Sequence, residues 1–206
     1  MNAKTVGIVL FEGFELLDVF GPAEAYASRE LEGAFRLLMV AERPGAIASA
    51  QGPQAVADYS FADCPPLDLI MVPGGIGTRR EVDNPVLMAW LRARAEQAEL
   101  VTSVCTGAAL LARAGLLDGR RATSNKRAFD WVKTQGPRMN WVAEARWVED
   151  GQRWTSSGVS AGIDMALAII ARTCGTPAAE QTAVMMEYEW HRDAAWDPFA
   201  RIWHRA

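Results

Sequence analysis

Three short runs, 5–11 (Thr-Val-Gly-Ile-Val-Leu-Phe), 67–72 (Leu-Asp-Leu-Ile-Met-Val) and 100–104 (Leu-Val-Thr-Ser-Val), are almost uncharged, and each ends abruptly in turn-forming residues. A strand apolar on both faces cannot leave one side in water, so such runs belong in a sheet covered above and below. Helix-length segments separate them, which calls for parallel strands joined by crossovers. The expected architecture is a three-layer α/β sandwich. With 206 residues, half of them hydrophobic, the chain is one domain that can bury a core without disulfides or metals.

The last run is the most informative. Leu100–Val104 leads straight into Cys105-Thr106-Gly107 and then Ala108-Ala109-Leu110-Leu111-Ala112, the strand–turn–helix pattern of a nucleophile elbow with Cys105 at its tip. Ser103 stands where that pattern usually has glycine. The start of a helix favours a thiolate over a thiol, so Cys105 is expected below the free-thiol pKa of about 8.5. The plain alternative is a small apolar residue packed at a strand end. Cys64, beside Pro65-Pro66, and Cys174, before Gly175, read as structural.

Around this core the remaining elements follow in order. After the first strand, 12–18 makes a crossing that carries Glu15 and Asp18 to the carboxyl end of the sheet, where open α/β sheets place ligands. Asp18 reads equally as a first-turn carboxylate and Glu15 as a solvated loop acid. Gly21-Pro22 is expected to open the helix that follows. Strands are expected at 35–41 and 122–124, weak β segments at 46–49 and 54–59, and a hairpin at 143–156 turning at Asp150-Gly151. Helices are expected from Asn84-Pro85 to 98 with Val86, Leu87, Trp90 and Leu91 inward, and at 126–133, 163–173 and 177–188. Pro73-Gly74-Gly75-Ile76-Gly77 bares backbone amides after a strand but does not fit a dinucleotide fingerprint. The strands ending at Phe11, Val72 and Val104 would bring Asp18, Gly74–Gly75 and Cys105 to one cleft. The tail, 189–206, holds His191, His204 and three of the eight tryptophans, and reads as a partner surface or a lid on the core.

The net charge of −4 argues against nucleic acid as a partner. An odd, scattered set of three cysteines fits a reducing compartment and no zinc site. The chain opens directly into a strand and holds no membrane-length apolar run, so a cytoplasmic location is expected.

The segments 16–22 (Leu-Leu-Asp-Val-Phe-Gly-Pro), 72–75 (Val-Pro-Gly-Gly), 103–107 (Ser-Val-Cys-Thr-Gly), 114–123 and 157–164 resemble, in order, those of the ThiJ/PfpI superfamily, the class I glutamine-amidotransferase-like fold. The resemblance covers about residues 5–175 and implies a flavodoxin-like, mostly parallel sheet with helices on both faces. Within the superfamily the chain is similar to isonitrile hydratases and to the amidase-like domains of transcription regulators. That likeness implies a small-molecule substrate, no cofactor or metal, and a homodimer with the cleft near its interface. It makes Cys105 the nucleophile, Asp18 the acid/base and Thr106 a neighbouring hydroxyl. The amides of Gly75 and Thr106 would stabilise an anion, and Gly74, Ile76, Asn125 and Val159 would line the substrate pocket. An isonitrile would give a thioimidate on Cys105, then an N-formamide.

At Thr123-Ser124-Asn125-Lys126 the chain departs from the Thr-Thr-His-Trp of hydratase-like sequences, which bears on the pocket. Thr106 occupies the position of the histidine in superfamily proteases, which weakens a protease reading. Two further readings use the same parts. One is glyoxalase- or deglycase-like carbonyl chemistry, for which Glu15 is available but a histidine is not evident. The other is a ligand- or redox-sensing module, given less weight because no DNA-binding extension follows the domain.

Overall fold

The computed structural model describes residues 3–203. The elements run β1 (Lys4–Val9), α1 (Leu16–Tyr26), β2 (Phe35–Ala41), β3 (Gly45–Ala48), β4 (Gln54–Ala57), β5 (Tyr59–Ser60), β6 (Leu69–Val72), α2 (Thr78–Glu81) and α3 (Pro85–Ala95). They continue as β7 (Leu100–Val104), α4 (Gly107–Arg113), β8 (Arg121–Ala122), α5 (Phe129–Gln135), β9 (Asn140–Trp141), β10 (Trp147–Asp150), β11 (Arg153–Ser156), α6 (Ala161–Cys174), α7 (Thr176–Met185) and α8 (Ala200–Trp203).

Seven strands form one sheet in the order β10-β11-β7-β6-β1-β2-β5, and only the β10–β11 pair is antiparallel. Every side chain of β6 is buried, as are Val6, Ile8 and Val9 of β1, which is why those runs carry no polar alternation. The expected mostly parallel sheet with helices on its faces is what forms. The carboxyl ends of β1, β6 and β7 are neighbours in the sheet, so the loops after them meet at one edge. The weak β segments pair as an antiparallel hairpin, Gly45–Ala48 with Gln54–Ala57.

Several local expectations are corrected. Helix α1 begins at Leu16 rather than at Gly21-Pro22, and Pro22 lies inside it. Propensity yields here to packing: Gly21 and Pro22 are both buried, with Ile163 and Gly162 of α6 close against them. Val86 is exposed, and Met88 takes its place in the buried face of α3. The strand expected at 122–124 stops at Ala122 because Thr123 N–H turns to Thr155 Oγ1 and Ser124 Oγ donates to the Cys105 carbonyl. The helix expected at 126–133 starts at Phe129. Cys174 is exposed rather than structural.

The tail is tied down by buried charge. Arg146 Nε donates to Asp164 Oδ2 at 2.6 Å, while Tyr188 Oη and His191 N–H donate to Asp164 Oδ1 at 3.1 and 2.9 Å. Asp197, also buried, lies 3.9 Å from both Arg146 and Lys126. Together these hold 188–203 across the domain. His204 lies outside the described residues. No described helix is long and apolar enough to cross a membrane.

Candidate active site

Cys105 sits between β7 and α4 with φ 57°, a left-handed conformation that non-glycine residues seldom adopt. Its N–H is shared between the carbonyls of Ser156 and Ser157, each at 3.2 Å, and its own carbonyl accepts from Ser124 Oγ at 2.8 Å. These three contacts hold the strained turn from outside. Gly107 lets α4 start against the next loop: a Cβ there would collide with the Val72 carbonyl.

Asp18 occupies the first turn of α1, yet its carboxylate does not cap its own helix. Oδ2 accepts the Gly74 N–H at 2.8 Å, and Oδ1 has no hydrogen-bond partner among the described groups. The side chain is wholly buried beside Cys105. Burial is the main reason that Asp18 is held well above the ordinary carboxylate range. Gly74 N–H pulls the other way, Glu15 adds a like charge, and the Cys105 thiol favours ionisation.

The sulfur does not behave as the sequence suggests. Burial pushes Cys105 well above a free thiol, Asp18 adds to this, and the Thr106 N–H offsets only part of it. The expected depressed thiolate is therefore corrected: dehydration and a neighbouring carboxylate outweigh the start of a helix only seven residues long. Cys105 and Asp18 form a coupled pair that resists holding two negative charges at once.

Thr106 is engaged on both sides. Its Oγ1 accepts the Gly75 N–H at 3.0 Å and lies 3.2 Å from Thr78 Oγ1, while its N–H favours an ionised Cys105. The Gly75 amide, expected in an anion-stabilising pair, is thus already committed to the Thr106 hydroxyl. Gly75 itself has φ 120°, and a Cβ there would strike the Gly13–Glu15 backbone.

The cavity over Cys105 measures about 530 Å³ and is bounded by Glu15, Ile76, Arg79, Asn125, Arg127 and Val159, with Trp203 from the tail at its margin. Ile76, Asn125 and Val159 line this cavity. Gly74 does not line the cavity; it lies behind the turn, where a Cβ would sit 2.8 Å from that of Cys105. Asn125 Oδ1 accepts the Ala128 N–H at 2.9 Å, and its amide nitrogen and the Cys105 sulfur both crowd Gly158. Lys126 is buried away from the reaction centre, donating to Thr123 Oγ1 at 2.9 Å and Ala145 O at 2.6 Å. Glu15 Oε1 accepts from Gln51 Nε2, so this acid is held at the rim.

Arg79 and Arg127 were not singled out by sequence, and Trp203 only as one of the tryptophans of the tail. Surface-type residues in short or irregular segments give no periodic signal, and only the folded chain brings them to the cysteine. His191 lies in the tail, where its N–H serves Asp164.

Comparison with known proteins identifies relatives of the chain. The DJ-1/PfpI family model matches residues 4–172. The isonitrile hydratase of Pseudomonas putida is 35% identical over 186 residues, 90% of this chain and 79% of that protein. The HTH-type transcriptional regulator GbdR of Pseudomonas aeruginosa is 29% identical over 91% of this chain, which spans 52% of the regulator. Among solved structures, a ThiJ/PfpI family protein from Pseudomonas syringae superposes with a TM-score of 0.84 at 30% identity, covering 92% of this chain and 76% of that one.

Proposed function

This chain belongs to the DJ-1/PfpI family, and on that premise we propose that it is an isonitrile hydratase-like enzyme, adding water to an isonitrile through a thioimidate on Cys105. The observation that carries the reading is Cys105 and Asp18 buried together, the carboxylate fixed only by the Gly74 N–H on Oδ2 and otherwise facing the thiol. Hydration of an isonitrile needs a nucleophile and one group that can take and return a proton.

The raised pKa of Asp18 suits it to both directions of transfer. As the sulfur attacks the terminal isonitrile carbon, the Asp18 carboxylate takes the thiol proton and passes it to that carbon, giving R–N=CH–S–Cys105. The carboxylate then takes a proton from water attacking the same carbon and delivers it to nitrogen. The adduct R–NH–CH(OH)–S–Cys105 collapses, the hydroxyl proton returns through Asp18 to sulfur, and R–NH–CHO leaves. Water and isonitrile are consumed, and the thiol is restored. In this scheme Thr106 acts through its backbone N–H on the sulfur, and its hydroxyl positions the Gly75 loop. No histidine is required.

Homodimerisation is part of the proposal. Leu17 and Phe20 on α1 are exposed large apolar residues, and Leu17 lines a second cavity that shares Asn125, Arg127 and Val159 with the cleft, where a second copy would cover it.

Incubation with p-nitrophenyl isocyanide should yield the N-formamide with wild-type protein and none above background with Cys105→Ala. Identical traces would remove the hydratase reading. The similarity to GbdR supports a second reading, a ligand-binding module, which would bind the isonitrile without forming product.

A further inference from the structure

Two guanidinium groups reach the cysteine cavity from separate elements, Arg79 from α2 and Arg127 from the segment before α5. Neither has a carboxylate partner among the described residues. Arg79 lies over the Trp131 ring at 3.5 Å and Arg127 near the Trp203 ring at 5.7 Å. Stacking occupies the face of a guanidinium and leaves its in-plane N–H donors open. The Arg79 cation is also close enough to Cys105 for the two charges to act on each other. The acid at the rim is Glu15, bonded to Gln51. A chain with a net charge of −4 therefore brings two guanidinium groups with no carboxylate partner among the described residues to the cavity over Cys105.

We propose that the substrate of this cleft carries a carboxylate, held by Arg79 and Arg127 while its reactive end meets Cys105. The reactive end rests on the hydratase reading above; the charge rests on the arginines alone. Charge balance favours a carboxylate over a phosphate. One negative charge joined to Glu15 neutralises the two guanidinium groups, whereas a doubly charged group would leave the site in excess. Planar, bidentate donation suits a carboxylate equally.

The charge can be tested without turnover. Cys105 is alkylated with anionic iodoacetate and with neutral iodoacetamide in a Cys174→Ser background, which removes the exposed thiol, and the site is followed by mass spectrometry. The ratio of the two rates is compared with that for free N-acetylcysteine. The expected ratio is about tenfold above the free thiol at low salt and shrinks as salt is added. Arg79→Gln with Arg127→Gln should return it to the free value, and each single variant should lower it part-way. A wild-type ratio at or below the free thiol, or one unchanged in the double variant, would overturn the proposal.

Turnover then separates the two readings. Isocyanoacetate should be hydrated faster than its methyl ester by wild type, and the double variant should lose that preference. A faster ester overturns the carboxylate. A raised alkylation ratio with neither compound hydrated supports the carboxylate and counts against the hydratase reading.

Discussion

Asp18 and Asp164 are both wholly buried, and both are pushed upward in pKa chiefly by burial. Their surroundings differ. Asp164 has a cation against it, and both oxygens accept hydrogen bonds, from Arg146, Tyr188 and His191. Asp18 has a single N–H donor on Oδ2, no ion pair among the described residues, the Cys105 thiol beside it and a like charge nearby in Glu15. A satisfied buried carboxylate behaves as structure, since its charge is compensated in place. An unsatisfied one is poised for proton transfer, and the protein bears the cost of keeping it so.

The comparison breaks most sharply on substitution of the two aspartates. Asp18→Asn keeps the Gly74 contact through its amide oxygen but cannot carry a proton, so kcat should fall by about 10²–10⁴-fold while the fold persists. Stability should move the other way. The folded-state pKa of Asp18 lies above its ordinary 3.8, so its contribution is complete below about pH 3.8 and is lost as pH rises through the folded value. Asp18→Asn abolishes that loss, and thermal melts from pH 4 to 8 should show the variant gaining on wild type. A variant that melts lower at every pH and keeps its turnover would make Asp18 structural after all.

Asp164→Asn should do the reverse. It leaves Arg146 in the interior with Asp197, 3.9 Å away, as its remaining acid; losing one partner of a buried pair costs at most about 3–5 kcal/mol, and each kcal/mol lowers Tm by about 2–4 °C in a domain of this size. The fraction that remains folded should still form product, because Asp164 contacts none of the reacting groups. Equal stability of variant and wild type would show that the Arg146 cluster does not anchor the tail.

This contrast also explains what could be read before the fold was known. Cys105, Asp18 and the Gly74-Gly75 loop follow strands whose apolar runs dictate a covered parallel sheet, and a sheet edge gathers such loops. The covered runs read at 5–11, 67–72 and 100–104 form β1, β6 and β7 for the same reason. Ionisation was not readable, since the pKa of Cys105 depends on dehydration and on a carboxylate whose distance no sequence spacing states. The start of α1 was misplaced because Pro22 signals a helix beginning by propensity, while packing against α6 decides otherwise. The arginines of the cleft and the charged clamp on the tail join segments far apart in sequence, so no local pattern announces them.

The smallest effect expected lies at Lys126, where the comparison can be sharpened. Its ammonium is buried with Asp197 at 3.9 Å, too far for a direct hydrogen bond, and burial lowers its pKa to about 8, with Asp197 opposing the shift and Arg146 adding to it. A lysine lowered from 10.5 destabilises the folded state while it is charged, and that penalty lifts as pH rises from about 8 toward 10.5, because the folded form loses its proton first. Lys126→Met has no proton to lose. The difference in Tm between wild type and this variant should therefore shift in favour of wild type across that window, by an amount corresponding to no more than about 3.5 kcal/mol. A constant difference from pH 7 to 10.5 would mean that Asp197 holds the charge fully. Lys126 would then belong with Asp164, among the compensated groups that fasten the tail over the cleft.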